Sequence, residues 1–148
     1  MHTFSRLFFA GLFLLLSALP AFAETLYSQP PFSEKELNQF IADLPRFRAW
    51  MREHGQTSHP ILNEKGEPDF LYSGEAAGYL NTSGWNPERF FCIMGRAAAG
   101  VAIIQQGDAI SKTPPVEMPN VSNDELDLVR RSLPALLKAV HPTPTSKK

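Results

Sequence analysis

The stretch between Asn86 and Gly107 leaves the chain little choice of architecture. Asn86 is a good helix N-cap, Pro87 follows at the first helical position where its missing N–H costs nothing, and Trp85 can staple onto Phe90 across the cap. From there FFCIMGRAAAGVAIIQQ runs to a stop at Gly107. Wound at about 100° per residue, it has a bulky face (Phe90, Ile93, Met94, Val101, Ile104) and a small face (Gly95, Ala98, Ala99, Ala102). A helix apolar on most sides belongs at the centre of a bundle, and small side chains invite a neighbouring helix to approach closely. Arg96 interrupts the run, which is also too short to cross a bilayer.

Two further segments carry the signals of amphipathic helices. Ser33 and Glu36 have capping-box spacing, with Phe32 and Leu37 at the staple positions, and the box recurs as Ser122 and Glu125 with Val121 and Leu126. Behind the first box Leu37, Phe40, Ile41, Leu44, Phe47 and Trp50–Met51 repeat at helical spacing up to Gly55; behind the second come Leu126, Val129, Leu133, Leu136–Leu137 and Val140. Pro45 and Pro134 each lie twelve residues after the cap, so each helix should kink or split there. The likeness between the two segments fits either a duplicated hairpin or, more simply, shared capping chemistry.

The connections are predicted more loosely. Residues 24–32, with Pro30-Pro31, read as an extended lead-in. Within residues 56–72 a turn at Glu64–Glu67 allows a small β-hairpin between Ile61–Leu62 and Phe70–Tyr72, followed by a short helix over Ser73–Asn81. Residues 108–121, with Pro114, Pro115 and Pro119, read as an extended crossover, and residues 141–148 as a disordered tail. The expected fold class is therefore all-α: one helical domain over residues 33–140, four to five helices around the central apolar one, with the possible hairpin.

Residues 1–23 have the three parts of a signal peptide: His2 and Arg6, an apolar run from Leu7 to Leu19, and Ala21 and Ala23 ahead of a cleavage point before Glu24. The run is shorter than the roughly 20 residues of a bilayer span. No cysteine follows it for a lipid anchor. A periplasmic or secreted product is the expectation, with no membrane span after cleavage. Removing Arg6 from the 14 basic residues leaves 13 against 15 acidic, a formal charge of −2, and that balance lacks the basic stripe of a nucleic-acid binder. Cys92 is the single cysteine, so an internal disulfide is excluded and stability must come from packing.

Candidate chemistry is sparse. Cys92, flanked by Arg89 and Arg96, is either a redox or nucleophilic thiol or an inert one buried between Phe91 and Ile93. Glu53, His54 and His59 lack metal-site spacing, and His54 fits the negative end of a helix dipole. Arg89 and Arg96, two turns apart, would need carboxylate partners if buried, could hold an anionic ligand in a cleft, or, most simply, cover the core with their stems at its rim. Arg48 and Arg52 form a second such stripe. Tyr72, Tyr79, Trp85, Phe90 and Phe91 pack in the core or line an apolar pocket. Asn81-Thr82-Ser83 and Asn120-Val121-Ser122 match the glycosylation pattern, which is common by chance. No nucleophile elbow, phosphate loop, dinucleotide glycine pattern or zinc motif occurs. The composite expectation is a non-enzymatic envelope binding or accessory protein without a cofactor, its partner a protein or small ligand. The alternative is a small-molecule or anion-binding protein using Arg89, Arg96, Trp85 and Tyr79, with redox use of Cys92. The first predicts an exposed apolar patch; the second predicts an enclosed pocket holding Arg89 or Arg96.

Overall fold

A computed structural model describes residues 25–141, apart from the side chain of Ser111. Residues 1–23, read from the sequence as a signal peptide, and residues 142–148 of the expected tail lie outside the described residues. The chain opens with a 3-10 turn, Leu26–Ser28, then α1 (Glu34–Glu53), β1 (His59–Leu62), β2 (Pro68–Leu71), α2 (Gly74–Thr82), α3 (Pro87–Gln106), α4 (Asp108–Lys112) and α5 (Asn123–Val140). The described part is mostly helical: a helical bundle with a two-stranded antiparallel hairpin attached. No helix among the described residues is long and apolar enough to cross a membrane.

Helix ends follow the local chemistry closely. Both capping boxes form in full, Ser33 with Glu36 and Ser122 with Glu125, and Asn86 accepts the N–H of Arg89 to cap α3. At the other end of α1, Gly55 takes a positive φ of 61°; its N–H donates to Arg52 while that of Gln56 donates to Met51. This is the reciprocal pair that satisfies the last carbonyls of a helix. Gly84 repeats it after α2, returning the N–H groups of Gly84 and Trp85 to Asn81 and Leu80.

Three expectations are corrected. Neither proline splits its helix: α1 continues through Pro45 and α5 through Pro134. A mid-helix proline costs about 3 kcal/mol, less than the burial on both sides of Pro45, where Leu37, Phe40 and Leu44 precede it and Phe47 and Met51 follow. The crossover at 108–121 is not extended throughout, because α4 occupies its first residues and buries Ile110. The small face of α3 does not receive a helix along its length. Gly95 lies under the ring of Tyr27 and Ala98 faces solvent, whereas α5 comes closest at Gly100, where an added Cβ would stand 3.1 Å from a Val129 methyl.

Adjacent Phe90 and Phe91 explain why α3 is the hub. Neighbours on a helix point about 100° apart, so both are buried only if two different layers cover them. Phe90 meets Phe40 and Phe47 of α1, each with ring centroids 5.0 Å away, and Trp85 at 5.2 Å. Phe91 meets Phe70 of β2 at 5.1 Å and Tyr72 at 4.1 Å. The hairpin is thus one wall of the core. Its register pairs Pro60 with Phe70 and Ile61 with Asp69; Asn63 closes the turn by accepting the N–H groups of Lys65 and Glu67.

Candidate functional site

Arg89 and Arg96 project from α3 towards the lead-in, and, apart from Nε of Arg96, their guanidinium nitrogens donate to groups of this chain. Nε and Nη2 of Arg89 bind the two carboxylate oxygens of Glu36 at 3.1 and 2.8 Å, while Nη1 and Nη2 reach the carbonyls of Pro30 and Pro31. Arg96 donates to the carbonyls of Tyr27, Gln29 and Pro30 at 2.6–2.9 Å and to Glu125 at 3.3 Å. The Pro30 carbonyl therefore accepts from both. An extended, proline-stiffened segment has no ladder to occupy its carbonyls, so it offers them outward as acceptors. The arginines bind the lead-in onto the bundle.

Each capping box has a second task in this arrangement. Glu36 caps α1 and holds Arg89; Glu125 caps α5, holds Arg96 and accepts the Phe32 N–H at 3.1 Å. The two pairs differ in environment. Arg96 and Glu125 are buried, at 6% and 2% exposure, whereas Glu36 and Arg89 lie nearer the surface. The Arg89 hydrogen bonds hold the Glu36 carboxyl below the usual carboxylate range and push Arg89 upwards. Arg96 is thus a buried clamp, not a rim residue, and its Nε is the one buried side-chain polar atom without a partner among the described residues.

Trp85 and Tyr79 stand elsewhere. Trp85 is buried beside Phe90 and its indole N–H donates to Asp43 at 2.9 Å; Tyr79 stacks on Trp50 with centroids 4.8 Å apart. Both line a cleft of about 130 Å³ between α1 and α2 together with Asp43, Arg46, Leu80 and Ser83. Neither arginine of α3 borders that cleft, so the four residues singled out in the sequence divide into two groups. Cys92 is fully buried. Burial pushes its thiol pKa up, with Arg96 and Arg89 pulling weakly the other way. Tyr27 is raised as well, first by burial and then by the neighbouring Cys92 and Asp69. His54 stacks on Trp50 and its Nδ1 lies 2.9 Å from the Trp50 carbonyl, at the end of α1. Among the described residues, no group of three or more His, Cys, Asp or Glu is placed to hold a metal ion.

Three larger concavities lie on the surface of the described residues. One, of about 430 Å³, runs along α1 to the C-terminal end of α5 and is floored by Leu44, Phe47, Met51, Phe70, Met94 and Val140. Arg48 and Arg52 line it with the polar Gln56, Thr57 and Ser58, and it has no acidic lining residue. A second, of about 510 Å³ beside the hairpin turn, is acidic, with Glu64, Glu67, Asp69 and Glu88 against Lys65. The third, of about 360 Å³, lies over Gly95 and Ala99 and is walled by Tyr27, Pro60, Pro115, Met118 and Pro119. The exposed large apolar side chains, Leu62, Leu71 and Val116, do not form one patch: Leu62 and Leu71 sit on opposite faces of the hairpin.

Sequence reasoning noticed the Arg48–Arg52 stripe but not the groove. The helical spacing of Leu44, Phe47 and Met51 reads as core, where these residues are buried, and nothing local says that Arg48, Arg52 and Ser58 rim a concavity beside them. No protein-family model, curated protein or solved structure matches the chain.

Proposed function

We propose that this protein is an exported, non-enzymatic binding protein whose working surface is the groove along α1. The address rests on the leader pattern in residues 1–23. The absence of catalysis is supported by how the most reactive groups are used: Cys92 is sealed in the core, and Arg96, Glu125, Arg89 and Glu36 are committed to holding the lead-in. What carries the binding role is the groove. Its volume of about 430 Å³ falls in the range of small-ligand sites, and its apolar floor with a few polar groups at the rim has their composition. Compared with the two readings drawn from the sequence, this geometry favours a small ligand over a docked protein, held by α1 and not by Arg89 and Arg96.

The test is binding of the apolar fluorophore N-phenyl-1-naphthylamine to the chain produced with its own leader and purified from the envelope fraction. Saturable binding is expected, and filling the groove from its rim with Ser58→Trp should abolish it without altering the helical circular dichroism. Unchanged binding by that variant would remove the groove from consideration.

A further inference from the structure

The charges around the groove narrow what it accepts, and we infer that its ligand is a single-chain anionic amphiphile of the monocarboxylate type, with its head held at Arg52; this rests on the groove being the binding surface. Every other arginine among the described residues outside this groove faces a carboxylate. Arg46 meets Asp43, Arg89 meets Glu36, Arg96 meets Glu125, Arg130 meets Asp127, and Arg131 lies 4.0 Å from Glu34. Arg48 and Arg52 do not, and both line the same apolar concavity. Being four residues apart on α1, they project from one face a single turn apart. Arg48 is steadied by donating Nη1 to the Val140 carbonyl at the end of α5. The guanidinium of Arg52 has no hydrogen-bond or ion-pair partner among the described residues, and its planar donors match a carboxylate.

The floor speaks to the other end of the ligand. Met51 and Met94 are unbranched and re-pack easily, which suits a flexible alkyl chain better than a rigid ring. None of the exposed large apolar side chains Leu62, Leu71 and Val116 borders it. A protein partner needs a buried interface above about 1,000 Å², and among the described residues no exposed large apolar side chain flanks this concavity of about 430 Å³ to extend it. The acidic basin by the hairpin turn, with four carboxylates, repels the same head group, and the concavity over Gly95 and Ala99 has Glu117 and no cationic residue in its lining.

Displacement of N-phenyl-1-naphthylamine from the purified, delipidated chain by dodecanoate, dodecanol and dodecyltrimethylammonium tests the inference. Dodecanoate should displace the probe at a concentration about tenfold below that of dodecanol, the scale of one charge-assisted contact, with the ammonium weakest. Arg52→Gln should bring dodecanoate to the level of dodecanol and leave dodecanol unchanged, while Arg52→Lys keeps part of the preference. Equal displacement by dodecanoate and dodecanol, or a preference surviving Arg52→Gln, overturns the inference. If Ser58→Trp still blocks both in that case, the groove remains a binding surface for neutral apolar ligands. If it blocks neither, the groove reading falls as well.

Discussion

Replacing Glu125 by glutamine keeps the shape of a buried side chain while removing its charge, and the structure places all its partners. Oε1 accepts the Ser122 N–H at 3.1 Å; Oε2 accepts the Phe32 N–H at 3.1 Å and Arg96 Nη1 at 3.3 Å. An amide must turn its NH₂ towards one side or the other, so a donor faces a donor whichever way it flips. Arg96, at 6% exposure, is left without its counter-charge. Removing one partner of a buried pair costs about 3–5 kcal/mol. The three carbonyls that still accept from Arg96 place this case at the lower end, at about 3 kcal/mol. Glu36→Gln is the internal control, because Glu36 occupies the same capping-box position and also binds an arginine of α3. Its side chain is 36% exposed, however, so solvent screens the pair and the expected cost is about 1 kcal/mol or less. The gap of about 2 kcal/mol corresponds to about 1 M in urea midpoint at a slope near 2 kcal/mol/M. Urea unfolding at pH 7, followed by the fluorescence of Trp50 and Trp85 and by circular dichroism, reads it directly. Midpoints within about 0.3 M of one another would refute the claim that burial separates these two otherwise matching pairs.

Other consequences are open to equally direct measurement. Glu36 has a depressed folded-state pKa, so its contribution is present above the unfolded carboxyl pKa of about 4.3 and is lost as pH falls through the lower folded value. Glu36→Gln should therefore flatten the acid limb of stability below about pH 4.3 and leave the slope between pH 5 and 7 unchanged; a variant with the original acid slope would contradict this. Cys92 should resist maleimide in native buffer at pH 8 and react fully in denaturant, because it is enclosed and its pKa is raised. Rapid native labelling would rule out the sealed thiol. A Cβ added at Gly95 would stand 1.9 Å from the Tyr27 hydroxyl oxygen, so Gly95→Ala must displace the Tyr27 ring and loosen the lead-in. Its sign should reverse once Tyr27 is alanine, where the better helix former contributes up to about 1 kcal/mol. A destabilising Gly95→Ala in both backgrounds would show that the ring contact is not the cause.

Local chemistry along the chain was enough to place the starts of α1, α3 and α5 and the ends of α1 and α3. The serine–glutamate boxes, Asn86-Pro87 and the closing Gly55 act over four or five residues, so their geometry is legible without any partner. The apolar stripe of residues 87–106 likewise required a central helix, and that helix is the hub. Tertiary structure alone decided what the polar side chains are for. Whether Arg96 meets a ligand, solvent or Glu125 depends on an element 29 residues away and on a lead-in 66–69 residues upstream. No periodicity encodes such separations. The same holds for Pro45 and Pro134, where packing on both flanks outweighs a local penalty, and for the groove beside Arg52, whose lining comes from α1, residues 56–58, β2, α3 and the end of α5. Short-range signals carry the energy of a cap or a turn; the pairing of charges and the gaps between elements depend on the three-dimensional meeting of distant segments.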